Sequence, residues 1–212
     1  MKYSTKYLFM IKINILLILV SSFNLVFSQT TIPNKYMKIP DTLYFKDRLY
    51  QYIIPQKKYN YWKVIRKDGS TEKLIYEKIG AKNKKVKENR TIEEGFFLEC
   101  LPDGCFTYIM ANQNKKSEYF TNVEELRGFI GFVNNLSEAL LIARTYDLWF
   151  DRKNPIGGSY KIEKDFIYLY LAKFESCPVS SEAFFVKINR RTGELEQESK
   201  GVYYKTDDCY TS

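Results

Sequence analysis

Histidine is absent from all 212 residues of this chain, and that absence excludes several chemistries at once. No Ser-His-Asp triad and no Cys-His pair can form, and a histidine-based pH switch is ruled out. Acid–base work near neutral pH would fall to carboxylates, Lys or Tyr, with pKa values moved by burial or neighbours. The chain also has no Rossmann glycine pattern, no P-loop and no zinc-protease helix, so no cofactor is expected. Cysteine is scarce: only Cys100, Cys105, Cys177 and Cys209 occur. Without histidine these thiols would have to hold a metal alone, and their spacing is not that of a zinc ribbon. No metal site is expected. Internal repeats and low-complexity linkers are missing too.

Long apolar runs are equally rare. Ile13 to Val20 is short, and Lys12, Asn14 and Asn24 interrupt the apolar stretch around it, which argues against a membrane span. It reads instead as the centre of a secretory signal peptide over residues 1–28. Lys2, Lys6 and Lys12 make a positive leading region without acids, and Val26 and Ser28 supply the small residues before a cleavage point, leaving Gln29 as the new N-terminus. No Cys stands at that point to carry a lipid. The expectation is a secreted or periplasmic protein with no stable membrane anchor after cleavage.

Four cysteines in an exported chain argue for two disulfides, with three possible pairings. Cys100–Cys105 and Cys177–Cys209 are favoured. Pro102 and Gly104 suit a tight turn between the first pair, and the second would staple the C-terminal tail to a preceding strand.

The formal charge of +8 conceals an asymmetry. Residues 29–90 hold 16 basic and 6 acidic residues, whereas 91–212 hold 14 and 19. In an exported protein a basic half would meet an envelope polymer, an anionic lipid or an acidic protein rather than nucleic acid. Lys82, Lys84, Lys85, Lys87 and Arg90 read more simply as a solvated loop. Aromatic residues make up 17% of the chain, and Tyr44, Tyr50, Tyr52, Tyr59, Tyr61 and Trp62 interleave with Lys. About half of these six should pack in the core. The remainder could stack on sugar rings or anchor a protein, because tyrosine joins apolar area to a polar tip. The candidate binding residues are Tyr50, Tyr52, Tyr59, Tyr61, Trp62 and Lys63.

Pattern divides the mature chain into an extended lead-in over 29–42 and one α+β domain over 43–212. Tyr59 to Ile65, a turn at Asp68-Gly69 and Glu72 to Ile79 predict a hairpin. Phe96 to Leu98 and Phe106 to Met110 predict a second, and Tyr119-Phe120 a further strand. Thr121 with Glu124 has capping-box spacing for a first helix, and Ser137 is an N-cap candidate for a second that runs to Phe150, before Pro155. Strands follow at 160–162, 166–172 and 183–188, with a return after Gly193. The expected architecture is an antiparallel sheet of hairpins packed on a central pair of helices, stapled by disulfides.

Ser137 to Ala143 on a helix, a Gly-Gly turn, tyrosine-rich strands and Phe184 to Leu195 form a series over about residues 136–196. It resembles small exported α+β domains of the cystatin-like or NTF2-like kind, some of which serve bacteria as toxin-immunity proteins. That resemblance implies a binding or inhibitory role and carries no functional residue over.

Two carboxylates across a sugar could run glycoside hydrolysis if a pocket raised the pKa of one. Glu93, Glu94 and Glu99 form one cluster, and Asp147 and Asp151 lie one helical turn apart. Neither set is a motif, and such charges are usually a solvated face. Asn89-Arg90-Thr91 and Asn135-Leu136-Ser137 are glycosylation sequons that would matter only in a glycosylating pathway. The reading is a non-catalytic binding or inhibitory protein acting through strands and loops. A small carboxylate-dependent cell-wall or polysaccharide hydrolase is the alternative.

Overall fold

The computed structural model describes residues 32–80, 91–100, 104–113 and 116–210. The signal-peptide reading over 1–28, the basic residues 82–90 and the sequon at Asn89 lie outside the described residues. Strands dominate, in two antiparallel sheets rather than one. The first orders β1 (Met37–Lys38), β7 (Gly158–Ile162), β8 (Phe166–Ser176), β9 (Val179–Asn189) and β10 (Leu195–Lys205) side by side. In the second, β3 (Thr71–Ile79), β2 (Tyr61–Asp68) and β5 (Cys105–Gln113) pair in that order. The far edge of β5 is shared. β4 (Phe96–Glu99) pairs with it at Cys105 and Thr107, and β6 (Lys116–Phe120) pairs from Ile109 to Gln113.

The predicted hairpin forms with its turn one residue later than read. Asp68 pairs with Thr71, so the turn residues are Gly69 and Ser70. Gly69 has φ 54° and occupies the first central position, which type II′ turns give to glycine.

Helix α1 spans Val123–Ile130 and α2 spans Leu136–Arg144. Their caps are asparagines. Asn122 accepts from the Glu125 N–H, and Asn135 accepts from the Glu138 N–H to complete a capping box. Thr121 and Ser137 are therefore not the caps: in each helix the asparagine sits where the chain is still extended, and its side-chain oxygen reaches the N3 donor. Helix α2 also stops earlier than its apolar spacing predicts. The Leu148 N–H donates to Ala143 O and the Asp147 N–H to Arg144 O, while Asp147 takes φ 59°. These are the bonds of a Schellman cap, with aspartate in the left-handed position usually held by glycine. Trp149 and Phe150 continue the apolar pattern in extended form, because Trp149 exchanges backbone hydrogen bonds with Ala172 on β8.

One apolar cluster joins Trp62 and Val64 of β2, Ile109 and Ala111 of β5, and Ile167, Leu169 and Leu171 of β8 with residues of both helices. Period-two spacing puts each strand set on one face. All nine residues of α2 are buried, as expected of a helix apolar around most of its circumference. The segment read as a lead-in belongs to this body: β1 pairs with β7, and Ile39 is fully buried in the cluster.

Both favoured disulfides are present, Cys100–Cys105 and Cys177–Cys209. The second holds a tail that also bonds back, Tyr210 N–H to Ser176 O and Val179 N–H to Asp208 O. Cys209→Ser is expected to cost about 2–4 kcal/mol, read as a lower urea midpoint in the oxidised protein; an unchanged midpoint would deny the staple a stabilising role. None of the described helices is long and apolar enough to cross a membrane. Paired cysteines fit an extracytoplasmic protein.

Candidate functional site

A strand face, a bulge and a helix end assemble a charged hub beside an aromatic cleft. Along β2, Trp62, Val64 and Arg66 share a face by the two-residue period, so Arg66 continues the core row to its rim. On β4 the pairing with β5 slips between Phe96 and Glu99, and Phe97 takes φ 57°, which is unusual for a bulky residue. A bulge of this kind re-aims a side chain, here Glu99. Arg144 is the last residue of α2, where the negative end of the helix dipole favours a cation.

Glu99 is the centre. Lys46 Nζ lies 3.0 Å from Oε1 and Arg66 Nη2 lies 3.5 Å from Oε2, and Arg144 Nη2 donates to Oε1 as well. Asp47 takes the Arg66 guanidinium through two bonds, 3.1 Å from Nη1 and 2.5 Å from Nη2. Behind Arg144 the Phe97 ring lies 3.7 Å from the guanidinium carbon. Burial by itself would raise the Glu99 pKa, but Arg144, Lys46 and Arg66 outweigh it and hold the carboxyl below its ordinary value. Burial likewise opposes the charge on Arg66, and Asp47 and Glu99 reverse that effect and raise its pKa. Tyr50, fully enclosed nearby, is pushed up to about 12 by burial.

The hub is short of acceptors. Arg144 Nη1, Arg66 Nε, Trp149 Nε1 and the Tyr50 hydroxyl are shielded from solvent and have no hydrogen-bond partner among the described residues. Such orphans are uncommon in native interiors.

Over the hub opens a cleft of about 750 Å³, lined by Tyr44, Phe45, Lys46, Arg66, Trp149 and Phe174 among others. An adjoining pocket of about 430 Å³ shares Lys46, Glu99 and Trp149 and adds Phe97, Arg144 and Asp147. These volumes fall in the range of small-ligand sites. Tyr44 is 37% exposed, Phe45 56% and Phe174 48%. The Tyr44 ring packs edge-on to Phe45 and Phe150 and lies 6.4 Å from Trp149, so Tyr44, Phe45 and Trp149 form one wall, and Phe174 lines the same cleft.

The residues singled out from sequence are scattered. Tyr50, Tyr61 and Trp62 are buried. Tyr61 donates to Glu77, and Trp62 packs against Tyr76 and Phe129. Tyr59 stacks on Phe129 and donates to Glu118. Tyr59 and Trp62 line a separate pocket of about 400 Å³ at Ile54 to Asn60. Tyr52 is exposed and Lys63 half-buried. No common face presents all six; the buried three are spent on the core.

Among the candidate carboxylates, Glu99 and Asp147 line the same pocket, while Glu93 and Glu94 are exposed. Asp151 is occupied by the Tyr203 hydroxyl and the backbone of Lys153 and Asn154. Among the described residues no three Cys, Asp or Glu side chains gather as a metal site would need. The sequon at Asn135 is committed elsewhere: its side chain caps α2 and donates to Tyr52 O.

No family model, curated protein or solved structure matches this chain.

The residues that sequence reasoning missed are Phe45, Lys46, Asp47, Arg48, Arg66, Arg144 and Phe174. One local signal was there to find. Tyr44 to Arg48 sets two rings directly before three charges in a stretch with no helical or strand period, as expected of residues held for contact rather than for packing.

Proposed function

We propose that this chain is a secreted or periplasmic, non-catalytic binding protein that takes its partner in the cleft bounded by Tyr44, Phe45, Trp149 and Phe174. The partner is a protein or an envelope polymer. One observation carries the reading: a half-exposed aromatic lining stands over a carboxylate that three cations keep ionised. Exposed aromatic area beside fixed polar groups is what binding sites offer. A general acid would need the opposite electrostatics, a carboxyl pushed up in pKa.

In this reading residues 1–28 direct export, the helix pair is the floor on which the sheets rest, and the likeness to cystatin-like or NTF2-like domains points to inhibition or immunity as the form the binding takes. The hydrolase alternative keeps one point in its favour, the shared pocket of Glu99 and Asp147. The two are separated by offering the mature, oxidised protein and a Phe45→Ser/Phe174→Ser variant to fractionated envelope polymer and secreted protein. Retention by the wild type, loss of at least tenfold in the variant and no shortening of the bound polymer are expected. Shortened polymer would transfer the assignment to the hydrolase.

A further inference from the structure

Two cations on the rings of the cleft have no carboxylate to answer: Arg48 lines the cleft, and Arg152 lies outside its lining, against the Tyr44 ring. Arg152 lies with its guanidinium carbon 4.1 Å from the Tyr44 ring centre, and Arg48 lies 5.0 Å from that of Phe45. Every other cation of the site is matched: Lys46 to Glu99, Arg66 to Asp47 and Glu99, Arg144 to Glu99. Among the described residues Arg48 and Arg152 have no ion pair, and their contacts are with the two rings. A guanidinium parked on an aromatic face is held in place and partly stripped of water while its N–H edges stay free. Counting Asp147 among the acids, the lining of both pockets together with Arg152 carries five cations against three acids. The orphaned donors of Arg66, Arg144 and Trp149 add to the same imbalance.

Resting on the cleft assignment above, we infer that its ligand is an acidic polysaccharide. The aromatic wall takes the C–H faces of successive sugar rings, and Arg48 and Arg152 take carboxylates carried on those rings. The cleft is concave and ring-lined, which suits a narrow chain of sugars. A planar fork to each carboxylate is the strongest arrangement arginine offers. Lys46 and Arg66, already paired with Glu99 and Asp47, serve as fixed donors to hydroxyl oxygens.

The test uses polygalacturonate, its fully methyl-esterified form and poly-glutamate, each titrated into the mature, oxidised protein at fixed salt. The ester keeps the sugar rings and removes the charge; poly-glutamate keeps the charge and removes the rings. Polygalacturonate is expected to bind, and the ester and poly-glutamate to bind at least tenfold more weakly. Arg48→Ala/Arg152→Ala, with its thermal midpoint checked because both side chains are exposed, is expected to lose at least tenfold for polygalacturonate. Equal binding of ester and acid would overturn the inference, and if Phe45→Ser weakened both, the cleft itself would still stand as the site. Equal binding of poly-glutamate would also overturn it, in favour of an acidic protein. No binding of polygalacturonate would overturn it outright, and the cleft assignment would then be judged by the Phe45→Ser/Phe174→Ser comparison alone.

Discussion

Glu99→Ala is expected to lower the stability of the oxidised protein by about 2–4 kcal/mol, below the full cost of breaking a buried pair because the hub is partly wet. The loss comes less from the contacts removed than from what they leave behind. The Arg144 side chain is 8% exposed and that of Arg66 18%, and without Glu99 their charges have only Asp47 between them. The penalty should fall on pairing rather than on packing, so Glu99→Gln, of nearly equal volume, should lose most of the same amount. Urea unfolding at neutral pH measures both; a change under 0.5 kcal/mol in each would show that the hub is no more than a surface ion pair.

Acid should act through the same residue. A depressed folded-state pKa means that the unfolded chain takes up the proton first as pH falls. The stability contributed by Glu99 is therefore present above its ordinary value of 4.5 and is lost as pH drops through the lower folded value. Glu138 works in the opposite sense. Burial raises its pKa against the backbone N–H bonds it accepts, so the folded state gains relative stability as that carboxyl protonates. The difference between wild type and Glu99→Gln isolates the first effect: the gap should be constant above about pH 5 and close on further acidification. A gap that widens with acid would contradict the sign.

The second large effect is at Glu138 itself. Its side chain is fully buried and accepts from the N–H groups of Ile54, Asn134 and Asn135. Glu138→Ala orphans three donors in the interior, each worth about 1–3 kcal/mol when left unmade, and removes half of the α2 capping box. A cost of about 3–5 kcal/mol is expected. Glu138→Gln keeps one acceptor oxygen and should fall between alanine and wild type. A Glu138→Gln variant as stable as wild type would show that shape, not the full set of hydrogen bonds, is what this residue supplies.

What could be read in the sequence was what short range decides. The β2–β3 hairpin, the two helix faces and both disulfides follow from turn chemistry, periodicity and the small loop between Cys100 and Cys105. Errors of one and two residues arose where two polar residues compete for one cap, Thr121 beside Asn122 and Asn135 before Ser137. The end of α2 was hidden because aspartate, not glycine, takes the left-handed position at 147. Glu138 was hidden for another reason: a carboxylate inside an apolar helix reads as the wet face, and one of the three N–H groups that make its burial tolerable, that of Ile54, arrives from a distant segment. The hub was the least legible part. Lys46, Arg66, Glu99 and Arg144 come from four elements far apart in the chain, and Glu99 turns inward only because β4 slips at Phe97. Tyrosines at 50 and 61, with Trp62, looked like contact residues because composition reports how much aromatic surface exists, not which side of a strand carries it.

The central claim is that the wall of Tyr44, Phe45, Trp149 and Phe174 binds without cutting. The most direct measurement is the affinity of the mature, oxidised protein for the polymer it retains, wild type against Phe45→Ser/Phe174→Ser, with the chain length of that polymer followed in the same tubes. The account predicts a loss of at least tenfold in the variant and an unchanged chain length. Undiminished affinity in the variant, or a polymer that shortens with time, would contradict it.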